Sequence, residues 1–373
     1  MAIEKEPTTL LARDMGEARY MLLEILRWNF RPKSTRLPLY LIVFVTYRCN
    51  SRCRTCFYHE KLNLPESSDL PLEFYEKIAR SLDHLTWLHL SGGEPFLRQD
   101  LPELVAAFYR STGVRRIGIP TNALLAKRVV ESTRRILSLC PDAQLNIVLS
   151  LDGFEETHDY IRGVPGNWKK TMETLGALKT VQAEYPQLCL NICTVLNDRN
   201  APEIPELLRF VRNLGVDFHD IGLMRGDYPD ERLKLPPVEE IANIMTLVAE
   251  NARHYYAENR HYPASSARRA ARVHRYLNQT FLRFLSVGAT SQPCFAGDGF
   301  AVIEPNGDVK LCELTPVVGN LLDFDGDFEA FWKSEAVRSA RCKGVCPEGS
   351  CTHSNFQTRN FILNPLQWWR ALP

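Results

Sequence analysis

Three cysteines at the end of an apolar run have the residue type and spacing of a metal centre. Cys49, Cys53 and Cys56 follow residues 39–45, which are typical of a buried strand. Thiolates suit iron–sulfur clusters and zinc. On a loop with this spacing, three thiolates can bind three irons of a cubane cluster and leave the fourth iron open for chemistry. Zinc is the alternative, because His59 could supply a fourth ligand.

A glycine-rich acidic segment, SGGEPF at residues 91–96, ends the next apolar run. Together with the CxxxCxxC loop it resembles the motifs of the radical S-adenosylmethionine (radical SAM) superfamily. There, glycines let the backbone approach the methionine amino group of SAM, and the acid helps to receive it. The resemblance implies that Gly92, Gly93 and Glu94 bind SAM. The superfamily often has an aromatic residue before the third cysteine; this chain has a threonine there, and Phe57 directly after the cysteine is the expected aromatic contact.

Strand-like and helical patterns alternate from residue 39 onward, which favours parallel strands joined by crossover helices. The predicted strands are 39–46, 85–91, 115–121, 145–151, 189–196 and 218–224. The predicted helices lie near 71–83, 100–112, 125–139, 167–184 and 202–214, with Gly215 as a C-terminal cap. These units resemble the α/β core of the superfamily, a partial (β/α)6 TIM-like barrel, in which the chemistry takes place at the C-terminal ends of the strands.

Polar residues end the third and fourth predicted strands. Asn122 lies in TNA, which resembles the TNG motif of the family, and Ser150 and Asp152 lie in SLDG. In related enzymes, residues here reach the ribose and methionine of SAM, and the arginine of the segment that resembles HDYIRG, Arg162, reaches the carboxylate; its planar fork suits that group. An ion pair between Asp152 and Arg162 is the alternative. Arg225, after the sixth strand, is a weaker candidate for a SAM or substrate contact.

Five cysteines near the C-terminal end form a second array. Cys294 and Cys312 stand in Cys-x12-Gly-x4-Cys, with residues 305–308 as a hairpin turn. The last three cysteines are Cys342, Cys346 and Cys351. The array resembles SPASM and twitch extensions, which bind auxiliary iron–sulfur clusters. A full SPASM set has seven cysteines and two clusters, so the resemblance implies one auxiliary 4Fe–4S cluster here, on Cys294, Cys312 and two of the last three; zinc is the alternative.

Two further residues are candidates for substrate chemistry. Some radical enzymes use a thiol to return a hydrogen atom, and Cys193, near the catalytic end of the fifth strand, is a candidate for this role. Cys189 shares its face of the strand, and both it and Cys140 are expected to be core residues. Glu313 follows Cys312 at a place where an acid serves as a base in relatives that oxidise sulfatases. A solvent-facing glutamate is the alternative.

The remaining segments predict helices. An amphipathic helix over residues 17–30 is expected to plug the bottom of the barrel or to touch lipid or a partner. Two helices are expected over 237–287, divided near Pro263, and no acid occurs between Glu258 and Asp298. The arginines there form a solvated face or a docking face for an anionic substrate, an acidic peptide or a lipid surface. The predicted domains are an N-terminal helical extension (1–38), the core barrel (39–236), a helical linker with substrate-facing helices (237–287) and an auxiliary cluster domain (288–373).

Composition sets the remaining expectations. The chain has 373 residues, 45% of them hydrophobic, and a net charge of +1, which gives no indication of nucleic-acid binding. The 11 cysteines are bunched at both ends, which favours metal ligation over a disulfide framework. The first residues lack the apolar core of a secretory signal, and no apolar run approaches the roughly 18 residues of a membrane span. The cytoplasm, where thiols stay reduced, is the expected compartment.

By resemblance, the chain is an enzyme, a radical SAM oxidoreductase or maturase. The expected reaction is reductive cleavage of SAM to a 5′-deoxyadenosyl radical, which abstracts hydrogen from an unactivated C–H bond. The expected substrate is a peptide or a small specialised metabolite, with net oxidation or bond formation assisted by the auxiliary cluster. A flavodoxin- or ferredoxin-type electron donor is implied. A lipid or membrane-associated substrate is the first alternative, and a non-catalytic iron–sulfur or zinc protein is an alternative of another class.

Overall fold

The computed structural model describes residues 22–65, 68–258, 264–287, 294–341, 360–366 and 368. The strands are β1 (Tyr40–Phe44), β2 (Trp87–Ser91), β3 (Arg116–Thr121), β4 (Gln144–Ser150), β5 (Leu188–Leu196), β6 (Phe218–Leu223), β7 (Phe300–Ile303), β8 (Asp308–Lys310) and β9 (Val317–Asn320). They form one sheet in the order β6-β5-β4-β3-β2-β1-β7-β8-β9. Pairing is parallel from β6 through β1 to β7, and β8 and β9 are antiparallel.

The helices follow the strands in the order expected of repeated βα units. They are α1 at 22–30, α2 (Leu72–Arg80), α3 (Leu101–Thr112), α4 (Ala126–Leu139), α5 (Glu155–Arg162), α6 (Asn167–Glu184), α7 (Ile204–Asn213), α8 (Val238–Glu258), α9 (Ala264–Val287), α10 (Phe328–Trp332) and α11 (Glu335–Ala340). Short 3-10 turns occupy Lys33–Thr35, His59–Lys61, Pro95–Leu97, Ala201–Glu203 and Leu321–Phe324. No helix in these described ranges is long and apolar enough to cross a bilayer.

The six predicted parallel strands and the partial barrel are confirmed. In β4, buried and partly exposed residues alternate, which is the pattern of a strand with helices on one face and an open interior on the other. The helix prediction missed α5, because its short sequence, EETHDYIR, has little apolar content. Gly215 adopts a φ of +63° after α7, as a C-terminal cap does.

Helix α1 closes the N-terminal end of the central strands. Trp28 is buried, and its Nε1 donates to the carbonyl of Leu37 at 2.8 Å, just before β1. Asn29 Nδ2 donates to the carbonyl of Leu363 at 3.1 Å. The predicted helix that plugs the barrel is therefore present in the described part of 17–30, and a C-terminal helical turn, described from residue 360, packs beside it.

The C-terminal segment continues the barrel sheet. β7 pairs in parallel with β1 and turns into β8 through residues 304–307, where Gly307 has a φ of +89°. This is the predicted hairpin. The backbone N–H of Leu70 donates to the carbonyl of Pro305 at 2.8 Å, so the hairpin contacts the loop that follows the first cysteines. The short helix after the hairpin strands is α10.

Candidate active site

The loop that carries the first three cysteines is fixed to the end of α5. The backbone N–H groups of Arg52 and Arg54 donate to the carbonyls of Arg162 and Ile161 at 3.2 and 2.8 Å. Ser51 Oγ donates to the carbonyl of Arg162 at 2.9 Å. Because α5 follows β4, these bonds bring the loop from β1 next to the end of the fourth strand.

Asn63 holds the first cysteine in place. Its Oδ1 accepts from the backbone N–H of Cys49 and its Nδ2 donates to the carbonyl of the same residue, both at 3.0 Å. Asn63 has a φ of +57°, a conformation that asparagine tolerates better than most residues. Asn63 was not predicted, since a lone asparagine in a loop has no distinguishing pattern.

The environment of the three thiols fits a cluster. Burial raises the pKa of Cys49 to about 12 and that of Cys56 to about 11, so both are neutral thiols until a cation compensates them. Cys53 Sγ lies 3.2 Å from Ser51 Oγ and 3.5 Å from Arg162 Nη1. Donors to sulfur of this kind are typical of the surroundings of iron–sulfur clusters.

The geometry of a single-ion zinc site is not seen in the part of the chain that the structure describes. No three Cys, His, Asp or Glu side chains there are grouped around one point. The alternative zinc ligand, His59, directs Nδ1 to the carbonyl of Cys56 at 3.0 Å. A cubane cluster does not require convergence on one point, since each thiolate binds a different iron.

The glycine-rich segment packs directly on the cysteine loop. The N–H groups of Gly93 and Glu94 donate to the carbonyls of Thr46 and Arg48, each at 2.8 Å. A Cβ on Gly93 would lie 2.1 Å from the carbonyl oxygen of Arg48, and one on Gly92 would lie 2.6 Å from that of Thr46. Only glycine permits this approach, and the result is a carboxylate positioned beside the thiols.

Glu94 has room for one more hydrogen bond. Its carboxylate is buried and accepts from the N–H of Asn122 at 2.7 Å, from Thr121 Oγ1 at 3.0 Å and from the N–H of Phe96 at 3.2 Å. An ionised carboxylate offers about four acceptor sites. Burial raises the pKa of Glu94 to about 7, although these bonds oppose the shift. A cationic ligand beside Glu94 would favour the ionised form of its carboxylate again.

Asp152 and Arg162 form the ion pair that the sequence left as an alternative. Arg162 Nε lies 2.7 Å from Asp152 Oδ2, and Asp152 Oδ1 accepts from the N–H of Val195 at 2.8 Å. The side chain of Asp152 is fully buried and that of Arg162 is mostly buried, and Arg162 also reaches Cys53. Arg162 therefore connects the end of β4 to the cysteine loop, and Asp152 positions it.

A polar row crosses the interior face of the sheet. Ser150 is paired in register with Cys193, and Cys193 with Asp220. Burial, together with the carboxylates of Asp220 and Asp152, raises the pKa of Cys193 to about 12. Burial also raises the pKa of Asp220. Cys193 is thus a neutral thiol at the height of the predicted SAM contacts, whereas Cys189 and Cys140 are core residues, as predicted.

Glu313 lies in the interior, contrary to the alternative that it faces solvent. Its side chain is 6% exposed, and Oε2 lies 2.9 Å from Arg225 Nη2. The Arg225 guanidinium also covers the ring of Phe57 at 4.5 Å, and its buried Nε has no hydrogen-bond partner among the residues that the structure describes. Arg225 therefore joins the residue after the third cysteine to the C-terminal segment, a contact between parts of the chain that are far apart in sequence.

A second network joins the two halves of the site. The buried carboxylate of Glu304 accepts from Tyr58 Oη and lies 3.1 Å from Lys61 Nζ and 2.9 Å from Lys310 Nζ. Tyr58 stacks on Tyr47 with ring centroids 6.1 Å apart. This network was not predicted, because an isolated Glu, Tyr or Lys carries no motif.

Of the predicted auxiliary ligands, Cys294 and Cys312 lie within the described residues, and Cys342, Cys346 and Cys351 lie outside them. Cys312 begins a tight turn in which Thr315 Oγ1 accepts from its N–H and donates to its carbonyl, both at 3.0 Å. Both cysteines are partly buried.

A parallel barrel with three thiols and a buried acid at the strand ends defines an enzyme that binds an iron–sulfur cluster and SAM. Two family profiles match the chain: that of the Radical SAM superfamily over residues 43–211 and that of SPASM, an iron–sulfur cluster-binding domain, over residues 294–353. The chain is a member of the radical SAM superfamily with a C-terminal SPASM domain.

Relatives and solved structures agree with this assignment. The AdoMet-dependent heme synthase of Methanosarcina barkeri is 26% identical over 86% of this chain and 90% of its own length. The GTP 3′,8-cyclase of Marinobacter nauticus is 31% identical over 55% of this chain and 61% of the cyclase. Among solved structures, Streptococcus suis SuiB bound to the precursor peptide SuiA aligns with a TM-score of 0.57 at 18% identity, over 87% of this chain and 70% of SuiB.

Proposed function

We propose that this enzyme cleaves SAM reductively and uses the resulting radical to abstract hydrogen from an unactivated C–H bond of a peptide or small specialised metabolite. The observation that carries the proposal is the pair of 2.8 Å backbone bonds from Gly93 and Glu94 to the cysteine loop. They hold the carboxylate of Glu94 beside the three thiols, which supports a role for Glu94 in binding the methionine ammonium of SAM. When bound, a 4Fe–4S cluster supplies the electron that breaks the sulfonium bond.

Each side of the site has a distinct task. Cys49, Cys53 and Cys56 hold the cluster, and Ser51 and Arg162 hydrogen-bond to the sulfur of Cys53. Such bonds tune the charge that thiolates donate to iron.

The strand ends provide the SAM contacts. The remaining acceptor site of Glu94 suits the methionine ammonium, and the Arg162 guanidinium suits the carboxylate. Asn122 and Ser150 lie at the neighbouring strand ends, where they would bind the polar parts of SAM. Phe57 directly follows Cys56, and its ring lies under the guanidinium of Arg225. It is the proposed aromatic contact for SAM.

Two residues are proposed to act on the substrate. Cys193 keeps its S–H proton at neutral pH because its pKa is raised, and a hydrogen-atom donor needs that proton. Glu313 is proposed as the base, and the guanidinium of Arg225, 2.9 Å from its carboxylate, holds it in place. Arg225 is a positioning residue in this scheme.

The auxiliary site supports an oxidation. One auxiliary 4Fe–4S cluster is proposed on Cys294, Cys312 and two of the last three cysteines. The chemistry that a cluster held there would supply is one-electron oxidation of the substrate, so dehydrogenation or bond formation is proposed over isomerisation. A flavodoxin- or ferredoxin-type donor is the proposed source of the first electron.

The comparisons support the substrate class in two ways. SuiB has been solved with a precursor peptide, and the relatives named as a heme synthase and a GTP cyclase act on small molecules. The structure favours these classes over a lipid substrate delivered from α1. That helix lies at the N-terminal end of β1, and the cysteine loop leaves the other end, about 15 Å away along five strand residues.

Anaerobic reconstitution tests the proposal. With SAM and dithionite, the reconstituted protein should release 5′-deoxyadenosine, measured by liquid chromatography and mass spectrometry, and Cys53→Ser should abolish the release. Glu94→Gln should weaken SAM binding at least tenfold, because a hydrogen bond to a charged group contributes about 1.5–3 kcal/mol. Intact iron and sulfide without 5′-deoxyadenosine would identify an electron carrier instead, and a zinc-loaded protein would identify a zinc module.

A further inference from the structure

Helix α1 exposes apolar side chains on its outer surface. Ile25 and Trp28 face inward and are buried, whereas Leu23 is 43% and Phe30 is 88% exposed. Leu23 and Phe30 are seven residues apart and therefore lie on the same side of the helix. An aromatic ring that is almost fully exposed next to a leucine is unusual for a face that contacts only water.

The C-terminal helical turn connects α1 to α9. Its Leu363 carbonyl accepts from Asn29 of α1 at 3.1 Å, and its Phe361 ring packs on Tyr276 of α9 with centroids 5.6 Å apart. Leu366, at the end of this turn, is 80% exposed. A further exposed apolar residue therefore follows the turn that contacts both helices.

The outer face of α9 is cationic. Arg268, Arg272, Arg275 and Arg283 are exposed, and their spacing of four, three and eight residues keeps them on one side of the helix. The sequence has no acid between Glu258 and Asp298, and none of the ion pairs formed among the described residues involves these arginines.

The arginines lie at the same end of the barrel as α1. His274, between Arg272 and Arg275, packs its ring on Phe218, the first residue of β6, at 5.9 Å. The acids near α1 are already balanced: Glu24 pairs with Arg27 at 2.7 Å, and Asp83 pairs with Arg31 at 2.9 Å. These two acids therefore leave no excess negative charge beside α1.

We propose that this end of the barrel is a docking surface for an anionic lipid bilayer. The docking surface comprises Leu23, Phe30 and Leu366 together with Arg272 and Arg275. Arginines attract anionic headgroups, and exposed aromatic and leucine side chains insert at the headgroup boundary. An acidic polypeptide would use the arginines but leave the apolar side chains in water, so the combination favours a bilayer.

Docking at this surface leaves the active site accessible. The cysteine loop leaves the opposite end of β1, so the site faces away from the bilayer. The surface would concentrate the enzyme at a membrane without requiring a lipid substrate. The inference is therefore independent of the reaction proposed above.

Vesicle sedimentation of the reconstituted full-length protein tests the inference. Binding is compared between phosphatidylcholine vesicles and vesicles that also contain phosphatidylserine, at low and high salt. We expect binding only to the second kind, weakened by salt. The double variant Arg272→Gln/Arg275→Gln should bind roughly thirtyfold more weakly, the loss for two cations near an anionic surface. Phe30→Ser should bind about tenfold more weakly, because the inserted ring is lost.

A matched control removes exposed cations at the opposite end of the barrel. Lys127→Gln/Lys169→Gln, in the first turns of α4 and α6, carries the same change in net charge and should bind as the parent does. Circular dichroism of every variant checks that folding is retained. The inference is overturned if the parent does not bind anionic vesicles, if the control variant loses as much binding as the Arg272/Arg275 variant, or if Phe30→Ser binds unchanged. Binding to soluble polyglutamate but not to vesicles would assign the arginines to an acidic polypeptide and would also overturn it.

Discussion

Removing the charge of Asp152 tests how the cysteine loop is held in place. In Asp152→Asn, the amide oxygen can still accept from the N–H of Val195, but the buried Arg162 loses its counter-ion. Burial disfavours the charged guanidinium and is the largest single effect, but the carboxylate of Asp152 and the sulfur of Cys53 together outweigh it, so the pKa of Arg162 is raised. The variant is therefore left with an uncompensated buried cation.

The expected cost is large. Breaking a buried pair by removing one partner costs about 3–5 kcal/mol. For 373 residues, an unfolding entropy of roughly 2.1 cal/mol/K per residue makes that a fall of about 4–6 °C in the melting temperature, if the chain unfolds cooperatively. Replacing both partners removes the unpaired charge, so Asp152→Asn/Arg162→Met should recover much of the loss.

Thermal unfolding of the metal-free protein measures the effect without relying on SAM. The control is Glu156→Gln, which breaks an exposed pair with Arg199 at 3.6 Å and should shift the melting temperature by about 1 °C or less. The reasoning is refuted if Asp152→Asn lowers the melting temperature no more than the control does. It is also refuted if the Asp152→Asn/Arg162→Met variant loses as much stability as the two single variants do together.

Two further predictions concern the backbone and pH. Ala123 has a φ of +61°, a conformation that costs about 1–2 kcal/mol for an L-residue. Glycine avoids this cost but also gives the unfolded chain more entropy, so Ala123→Gly should raise the free energy of unfolding by about 0.5 kcal/mol. Urea titration measures this free energy. As a control, Ala177→Gly inside α6 should lower the free energy of unfolding by about 1 kcal/mol. A lower free energy of unfolding for Ala123→Gly would contradict the inference that the backbone at Ala123 is strained. Hydrogen bonds from Arg232 hold the pKa of Asp230 below its usual range, so the carboxylate stabilises the fold above about pH 4 and that contribution is lost as the pH falls through the folded pKa. Asp230→Asn should therefore lower the free energy of unfolding at pH 7, and the gap between variant and parent should shrink in acid, where Asp230 of the parent becomes protonated. A gap of equal size at every pH would show that the charge of Asp230 does not cause the loss.

Local patterns were sufficient to predict the barrel elements. The helix predicted over 167–184 is α6, Asn167–Glu184, and the strand predicted over 145–151 is β4, Gln144–Ser150. These predictions succeed because side-chain burial repeats every 2 residues in a strand and every 3.6 in a helix, and that periodicity is visible within a short window. Helix α5 was missed because its eight residues include few apolar positions.

The sequence alone also determined the chemistry of the site. The spacing of Cys49, Cys53 and Cys56 and the glycines before Glu94 are local, and they limit the cofactors that the loop can bind. The residues that hold these groups in place are not local. Arg162 reaches Cys53 across more than 100 residues, and Glu304 reaches Tyr58 across more than 200. Such contacts depend on which strand ends meet when the sheet curves. A short-range sequence pattern does not encode which distant residues are brought together in this way. The composition of the site was therefore determined by the sequence, and its hydrogen-bonded framework by the tertiary structure.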